Sequence, residues 1–348
     1  MADRHIGEAL PARLPSRNRS IFAAMRRSVN DRVEIHGNDA KPTSARTVPL
    51  VSIVLPVFNG ECYLRDALDS ILAQSFADFE LIAVDDCSTD ATPEILAEYA
   101  ARDARIRLHR NATNSKLPAS LNVGFRLASG ELFSWTSDDN LLRPHMLETL
   151  VAAAKANPGC AVFHSDYRLI DEDGVPGQKV AVAPADQLVF GNAVGCSFLY
   201  RREVQQALRG YDETLFGVED YDFWLRAARQ FAFCPIAEDL YLYRRHKGSL
   251  TSARARQIHA LAAQVMLREI KALPRSQRRA EAYIRLLCRD PYKIRFGLLL
   301  RALRDHPATV LRSTGKILRW IAYFVKTQLV ATSLAASDAA TIALLSAE

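Results

Sequence analysis

Apolar, β-branched runs alternate with helix-spaced apolar positions in the first half of the chain. The run Val48–Leu55 has the composition of a strand that is buried on both faces, and Phe79–Val84 is a second run of this kind. Between the two runs, apolar residues recur at the spacing of one helix face, at Leu64, Ala67, Leu68, Ile71 and Leu72. The order predicts a strand, a helix and a second strand.

The same alternation continues beyond residue 84. It predicts helices over Glu94–Ala101 and Pro118–Ala128, a helix that begins at Pro144, and short strands at Arg105–His109 and Leu132–Trp135. Such alternation is typical of a doubly wound α/β sheet. Ligands of these sheets bind beyond the carboxyl ends of the strands, so polar residues at those ends are the first candidates for a site.

From about residue 253 the strand pattern stops and a helical pattern rich in Leu and Arg follows. Its longest apolar stretch, about 317–336, is interrupted by Arg319 and Lys326. Such a stretch is a poor membrane span but a fair amphipathic helix for a membrane interface. A helical cap that packs on the core is an equally good interpretation.

Charge divides the chain at similar points. Residues 1–47 carry 9 basic and 5 acidic side chains, residues 48–252 carry 19 and 28, and residues 253–348 carry 17 and 6. We therefore predict a polar, flexible leader, a folded domain over 48–252 and a basic helical region over 253–348. The aromatic residues of the basic region cluster with Leu and Ile instead of alternating with Arg, which disfavours a nucleic-acid partner.

Composition excludes a disordered or fibrous protein, because 49% of the 348 residues are apolar and 24% are charged. Six cysteines lie far apart without a metal-ligand spacing, which favours reduced, buried thiols. The first 47 residues contain no apolar run of the signal-peptide kind. We therefore expect a cytoplasmic protein.

Three acidic clusters follow apolar strands or begin helices. Asp85 and Asp86 end the second strand, where a turn is the alternative interpretation. The adjacent carboxylates of Asp138 and Asp139 repel each other, and a divalent cation would relieve that repulsion. The third cluster contains Glu219, Asp220 and Asp222, and its alternative role is to cap a helix. A late histidine, His246, would by itself more often be an exposed side chain than a metal ligand.

In combination and in order, these stretches resemble glycosyltransferase family 2, from about residue 50 to residue 252. The matching motifs are Val51-Ser-Ile-Val-Leu-Pro-Val-Phe-Asn59, Ala83-Val-Asp-Asp-Cys-Ser-Thr-Asp90, Ala119-Ser-Leu-Asn-Val-Gly-Phe125 with Ala128-Ser-Gly-Glu131, Thr136-Ser-Asp-Asp-Asn140 and Glu219-Asp-Tyr-Asp-Phe-Trp-Leu-Arg226. The resemblance implies a GT-A-type doubly wound, mostly parallel sheet with a helical C-terminal extension.

The resemblance also implies a function for each matching position. Asp220 would be the general base, and Asp139 with His246 would hold Mn²⁺ or Mg²⁺. The residues expected to bind the donor are Pro56, Phe58, Asn59, Asp85, Asp86, Asp138 and Glu219. Two positions depart from the family pattern: Thr136 stands where many members have an Asp, and Lys116-Leu117 stands where Gly-Leu is usual.

The implied activity is metal-dependent, inverting transfer of a sugar from a nucleoside diphosphate, with UDP as the first choice. The acceptor would be a saccharide or a lipid-linked sugar of cell-surface polysaccharide or glycoconjugate synthesis. The basic region suggests peripheral contact with the inner face of the cytoplasmic membrane. Two alternatives are a nucleotidyltransferase of similar fold, which the absence of a basic Gly-rich loop after the first strand disfavours, and a non-catalytic sugar-binding protein.

Overall fold

A computed structural model of the protein describes residues 48–289 and 295–326. Within these residues, one mixed sheet of nine strands lies between two layers of helices. The strands are β1 (Val51–Val57), β2 (Phe79–Asp85), β3 (Ile106–Arg110), β4 (Leu132–Trp135), β5 (Leu141–Leu142), β6 (Val162–Ile170), β7 (Pro176–Val180), β8 (Phe198–Arg201) and β9 (Phe233–Arg244).

The helices connect the strands in the first half of the chain and follow them in the second half. They are α1 (Leu64–Leu72), α2 (Thr92–Arg102), α3 (Leu117–Leu127), α4 (Met146–Ala156), α5 (Arg202–Leu208), α6 (Glu219–Ala227), α7 (Leu250–Ala253), α8 (Ala255–Ala272), α9 (Gln277–Leu287), α10 (Phe296–Asp305) and α11 (Pro307–Arg312). A 3-10 helix covers Ala185–Phe190, and residues 314–326 are helical.

The strand order is β3-β2-β1-β4-β8-β6-β9-β5, with β7 paired to β6. The predicted α/β sheet is confirmed, and its first four strands are parallel, as expected for strands joined by helices. The second half adds antiparallel pairs between β4 and β8 and between β8 and β6. Parallel pairing places the carboxyl ends of β1, β2 and β4 at one edge of the sheet.

Side chains of the central strands alternate between two cores. In β1, Ile53 and Leu55 pack with α1, α2 and α4, whereas Val54 packs on the opposite side with α3 and the C-terminal helices. These three side chains have no exposed surface. The prediction that the central strands are buried on both faces is therefore confirmed.

The described C-terminal helices share the second of these cores. Met266 and Tyr283 are almost fully buried there, and Ile317 and Trp320 are 6% and 8% exposed. The helix over 314–326 therefore packs as a cap with one face, while the apolar stretch beyond residue 326 lies outside the described residues. None of the helices in residues 48–289 and 295–326 combines the length and the hydropathy that a membrane-spanning segment requires.

Ion pairs between two buried carboxylates and partly exposed arginines connect α6 and the segment after it to α8. Asp222, which is 1% exposed, accepts hydrogen bonds from Arg226 at 2.6 Å and from Arg268 at 2.5 Å. Glu269 accepts from Arg229 at 2.5 Å and from Arg268 at 2.9 Å. The start of the C-terminal region thus holds the helix that begins at Glu219.

The expectation of reduced cysteines is wrong for Cys160 and Cys234, which form a disulfide. The other four cysteines are free thiols, but they are exposed or half-buried and not fully buried as expected. The pairing arises because β6 and β9 are parallel neighbours, with Phe163 opposite Cys234 in the register. Two cysteines 74 residues apart in sequence thereby come within 6.2 Å between their Cα atoms. Their sequence spacing carries no sign of this contact.

Candidate active site

The loop after β1 meets the loop after β2. Asn59 uses its side-chain oxygen to accept from the Thr89 backbone N–H at 2.9 Å, and its own N–H donates to Ser88 Oγ at 3.0 Å. Phe58 is 49% exposed, so its ring is free to face a ligand, whereas Pro56 is buried within β1. Of these three residues predicted to bind the sugar donor, Phe58 and Asn59 are exposed just after the carboxyl end of β1, and Pro56 is buried in the strand before them.

Asp85 and Asp86 are both 3% exposed, but their environments differ. Asp86 accepts from the Lys116 and Ser115 backbone N–H groups, each at 2.8 Å, and from the Asn111 side chain at 2.8 Å. Both of its oxygens are thereby occupied. The Asp86 carboxylate therefore shapes the loop before α3, which is how it would contribute to a nucleotide pocket.

The second oxygen of Asp85 is less fully engaged. Its first oxygen accepts from the Ser88 backbone N–H at 2.9 Å. Arg110 Nη1 lies 3.0 Å from the second oxygen, but the pair lacks hydrogen-bond alignment and that oxygen is a buried acceptor without a donor. A ligand donor at this edge of the sheet would satisfy it.

Asp139 and His246, 107 residues apart in sequence, lie together. His246 Nε2 is 3.1 Å from Asp139 Oδ2, and both side chains are largely buried. The other carboxylate oxygen, Oδ1, is buried without any hydrogen-bond partner. The structure thus brings the two residues predicted to bind metal into contact and leaves one oxygen available for a cation.

Asp138 lies against the loop after β1. A Cβ added at Gly60 would be 1.9 Å from Asp138 Oδ2 and 2.7 Å from Val57 Cγ1, so only glycine allows this approach. Burial, and next the charge of Asp139, raise the pKa of Asp138 to about 7. Two adjacent carboxylates held in this way are costly without a positive charge beside them.

An arginine that the sequence analysis did not select fixes the Asp139 backbone. Arg244, which is 3% exposed, donates from Nε to the Asp139 carbonyl at 2.9 Å, and its backbone N–H donates to Asn140 Oδ1 at 2.8 Å. Its guanidinium also lies over the Tyr63 ring, 4.5 Å from the centroid. Arg244 stands two residues before His246, so the end of β9 both carries the histidine and holds the aspartate.

Glu219 and Asp220 occupy the first turn of α6. Burial raises the pKa of both carboxyl groups, and the charge of Asp220 raises that of Glu219 further. Glu219, 3% exposed, accepts from the Gly217 backbone N–H. Asp220 is half-buried and accepts from the Asn192 side chain at 2.8 Å. Asn192 is a second site residue that the sequence analysis missed.

The charges of Asp139 and Asp220 raise the pKa of the same two neighbouring groups, Tyr243 and Cys196. Burial raises the pKa of the Tyr243 hydroxyl, and the charges of Asp139 and Asp220 both add to the shift. The Cys196 thiol is affected in the same way, with its pKa raised by burial and then by both carboxylates. The predicted metal-binding aspartate and the predicted base therefore lie within electrostatic reach of one shared region.

The two departures from the family pattern have structural explanations. The Thr136 hydroxyl is buried and lies 2.7 Å from the Tyr241 hydroxyl, so the side chain is part of the sheet packing. Lys116 has φ +73° and ψ 164°, a conformation that glycine adopts most easily. The Asp86 carboxylate holds this backbone in place through the Lys116 N–H.

The residues present fit a divalent cation that is only partly bound by protein. Within residues 48–289 and 295–326, no three His, Cys, Asp or Glu side chains form a metal-binding group. The Asp139 and His246 pair offers two ligand atoms. Mg²⁺ in particular commonly uses one or two carboxylates and completes its shell with water and substrate phosphates, so a donor diphosphate could supply the remaining ligands.

Comparison with known proteins identifies the family. The model of "Glycosyl transferase family 2" matches residues 52–209. The uncharacterized glycosyltransferase EpsJ of Bacillus subtilis is 32% identical over 219 residues, which is 59% of this chain and 63%, less than two thirds, of EpsJ. The uncharacterized glycosyltransferase RP339 of Rickettsia prowazekii is 30% identical over 221 residues, 60% of this chain and 68% of RP339. The chain belongs to glycosyltransferase family 2.

Solved structures support the fold of this family 2 member. Staphylococcus aureus TarS 1–349, in complex with UDP-GlcNAc, has a TM-score of 0.55 at 18% identity and covers 79% of this chain and 80% of the TarS chain. The mannosyltransferase PcManGT of Pyrobaculum calidifontis, in complex with GDP-Man and Mn²⁺, has a TM-score of 0.55 at 19% identity, covering 82% of this chain and 87% of PcManGT. At this identity the likeness concerns the fold, which is of the predicted GT-A type.

Proposed function

We propose that this family 2 protein transfers a sugar from a nucleoside diphosphate donor, with inversion and with the help of Mn²⁺ or Mg²⁺. The observation that carries the proposal is the Asp139 carboxylate, with one oxygen 3.1 Å from His246 and the other buried without a partner. A UDP-sugar is our first candidate donor, and GDP-sugars are the second. The solved neighbours were bound to UDP-GlcNAc and to GDP-Man.

The donor would lie across the carboxyl ends of β1, β2 and β4. Phe58 would contact the nucleotide, and Asp85 would accept a hydrogen bond from the base or ribose. Asp139 and His246 would hold the cation, which when bound offsets the charge that develops on the departing diphosphate. The positive charge of the cation would also offset the negative charge of the adjacent Asp138 carboxylate. Glu219 would contact the donor sugar from the first turn of α6.

Asp220 would act on the acceptor. Attack at the anomeric carbon proceeds through an oxocarbenium-like state, and the attacking hydroxyl must lose its proton as the new bond forms. Asn192 holds one Asp220 oxygen, and the Tyr221 backbone N–H lies 2.6 Å from the other, so the carboxylate is oriented. Attack from the face opposite the diphosphate inverts the anomeric centre, and no covalent enzyme intermediate is needed.

Donor binding is the first property to test. We expect calorimetry to detect binding of one of UDP, GDP, CDP or dTDP that is tighter with Mn²⁺, and we expect Asp139→Ala to remove the metal-dependent part. Asp173→Ala, at an exposed aspartate, is the matched control and should bind like the wild type. Absence of binding by the wild type to all four nucleotides, with and without metal, would contradict the donor site and favour a non-catalytic sugar-binding protein.

We further propose that residues 48–252 carry the donor and base residues, that the described helices after residue 252 support them, and that the protein works on the cytoplasmic face of a membrane. The acceptor would be a saccharide or lipid-linked sugar of polysaccharide or glycoconjugate synthesis. The polar leader, residues 1–47, lies outside the described residues.

The C-terminal helices have an exposed surface that suits an anionic membrane. On α10, Phe296 and Leu300 are 60% and 67% exposed beside the exposed Arg301. Leu318, 60% exposed, stands next to the exposed Arg319. Apolar side chains flanked by cations bind an anionic lipid surface.

The full-length wild type should therefore cosediment with phosphatidylserine vesicles at low salt, and the double variant Phe296→Ser/Leu300→Ser should cosediment less. If the wild type ignores the vesicles, membrane contact is excluded.

A further inference from the structure

A cavity of about 240 Å³ adjoins the predicted base. It lies between the end of β7, the 3-10 helix and α9, and its walls include Tyr167, Val182, Phe190, Asn192, Gly195 and Arg285. Because a water occupies about 30 Å³ of liquid, this volume corresponds to roughly eight waters, enough for about one sugar residue.

The cavity wall is connected to Asp220 through Asn192. The Asn192 amide oxygen accepts from the Val194 and Gly195 backbone N–H groups at 3.2 and 3.4 Å, which directs its NH₂ group to the Asp220 carboxylate. Burial raises the pKa of Tyr167, which lines the same cavity, and the charge of Asp220 adds to the shift. A hydroxyl bound beside Asn192 would be near the predicted base.

The wall beside Asn192 is cationic. The Arg285 guanidinium lies 4.2 Å from the centroid of the Phe190 ring, and the Arg278 guanidinium lies 5.2 Å from it. A Cβ added at Gly191 would be 2.5 Å from Arg289 Nη1. Three guanidinium groups therefore converge on two adjacent residues of the cavity wall.

Acidic neighbours offset only part of this charge. Arg285 pairs with Glu281 at 3.0 Å, and both side chains are 41% exposed. Arg278 pairs with Asp186 at 3.4 Å and also donates to the Asp186 carbonyl. Both are surface pairs, which hold their partners weakly and can be exchanged for a ligand anion.

We propose that the cavity is the acceptor subsite and that it takes a sugar carrying an anionic group, a carboxylate or a phosphate, in addition to the hydroxyl that is glycosylated. The hydroxyl would lie at Asp220 and the anion at Arg285. The planar guanidinium of Arg285 suits the paired oxygens of either anion. This inference rests on the proposed function, since it names the acceptor class for the same site.

The test compares a neutral sugar with its carboxylate and phosphate derivatives. The glucose series is methyl glucoside, methyl glucuronide and methyl glucoside 6-phosphate, and the galactose series contains the three corresponding sugars. Ligand-observed NMR on the full chain, with its nucleotide bound, would give the affinities at low salt. An anionic sugar should bind about tenfold more tightly than the neutral one, because a charge-assisted hydrogen bond is gained. Arg285→Gln should remove this preference, and Arg256→Gln, at an exposed arginine of α8, should keep it.

Preference for the phosphate would point to a phosphorylated sugar, and preference for the carboxylate would point to a uronic acid. Equal binding of neutral and anionic sugars, binding of none of them, or a preference that survives Arg285→Gln would overturn the proposal. Calorimetry with the nucleotide separates this outcome from failure of the donor site. If the nucleotide still binds, only the acceptor assignment fails, and if it never binds, the proposed function itself fails.

Discussion

Replacing Asp220 with asparagine is expected to lower kcat by about 10²–10⁴-fold, the usual contribution of a general base. Asparagine can still accept the hydrogen bond from Asn192, which is 2.8 Å from Asp220 in the wild type, so the fold should be retained. Donor affinity should change little, because Asp220 would act on the acceptor. The rate of sugar transfer and the nucleotide affinity, measured on the same preparation, would show this separation.

The pH profile offers a second measurement on Asp220. Burial raises its pKa to about 6, so the carboxylate needed as a base is present above that pH and is lost as the pH falls through it. We expect log kcat of the wild type to decline below about pH 6, and we expect the part of this decline that comes from Asp220 to be absent in Asp220→Asn. Asp173→Asn, an exposed substitution of the same chemistry, should keep the wild-type profile. A kcat within threefold of the wild type for Asp220→Asn would exclude Asp220 as the base.

Asp222→Ala should cause a large loss of stability. Asp222 is 1% exposed and accepts from two arginines, and removal of one partner from a buried ion pair typically costs 3–5 kcal/mol. We expect about 3 kcal/mol, since the Arg268 side chain is 48% exposed and water can replace part of the lost contact. At roughly 2–4 °C per kcal/mol, Tm should fall by about 6–12 °C.

Thermal unfolding followed by circular dichroism would check this value. Asp173→Ala should melt like the wild type. Arg268→Ala should lose less stability than Asp222→Ala, because Asp222 keeps its hydrogen bond from Arg226 at 2.6 Å. A Tm for Asp222→Ala within 2 °C of the wild type would show that these ion pairs do not hold α6 to α8.

Much of the fold could be predicted because local pattern and topology agree in the first half of the chain. Strands joined by helices pair in parallel, so apolar runs such as Val51–Val57 reveal both their burial and the edge where their carboxyl ends meet. Asp85 and Asp138 follow such runs, which made them visible as site candidates. The antiparallel half of the sheet was harder to predict, because no α-helix between β6 and β8 indicates how these strands pair.

The residues that sequence analysis missed work through contacts formed only in the folded chain. Asn192 lies in a short loop without a periodic pattern, yet it orients Asp220, 28 residues further along. Arg244 looks like one of many arginines, and only its approach to the Asp139 carbonyl, 105 residues away in sequence, shows its use. The disulfide between Cys160 and Cys234 depends in the same way on which strands become neighbours. The positions of these residues along the chain do not predict their contacts.

The first turn of α6 joins the base to the cavity wall. Besides the link from Asp220 to Asn192, the Tyr221 hydroxyl donates to the Leu188 carbonyl in the 3-10 helix at 2.6 Å. Two consecutive residues therefore tie the proposed base, Asp220, to the segment that would touch the acceptor. In the proposed reaction, a molecule that displaces this wall also displaces the base, so a poorly fitting acceptor would be discriminated against in turnover as well as in occupancy.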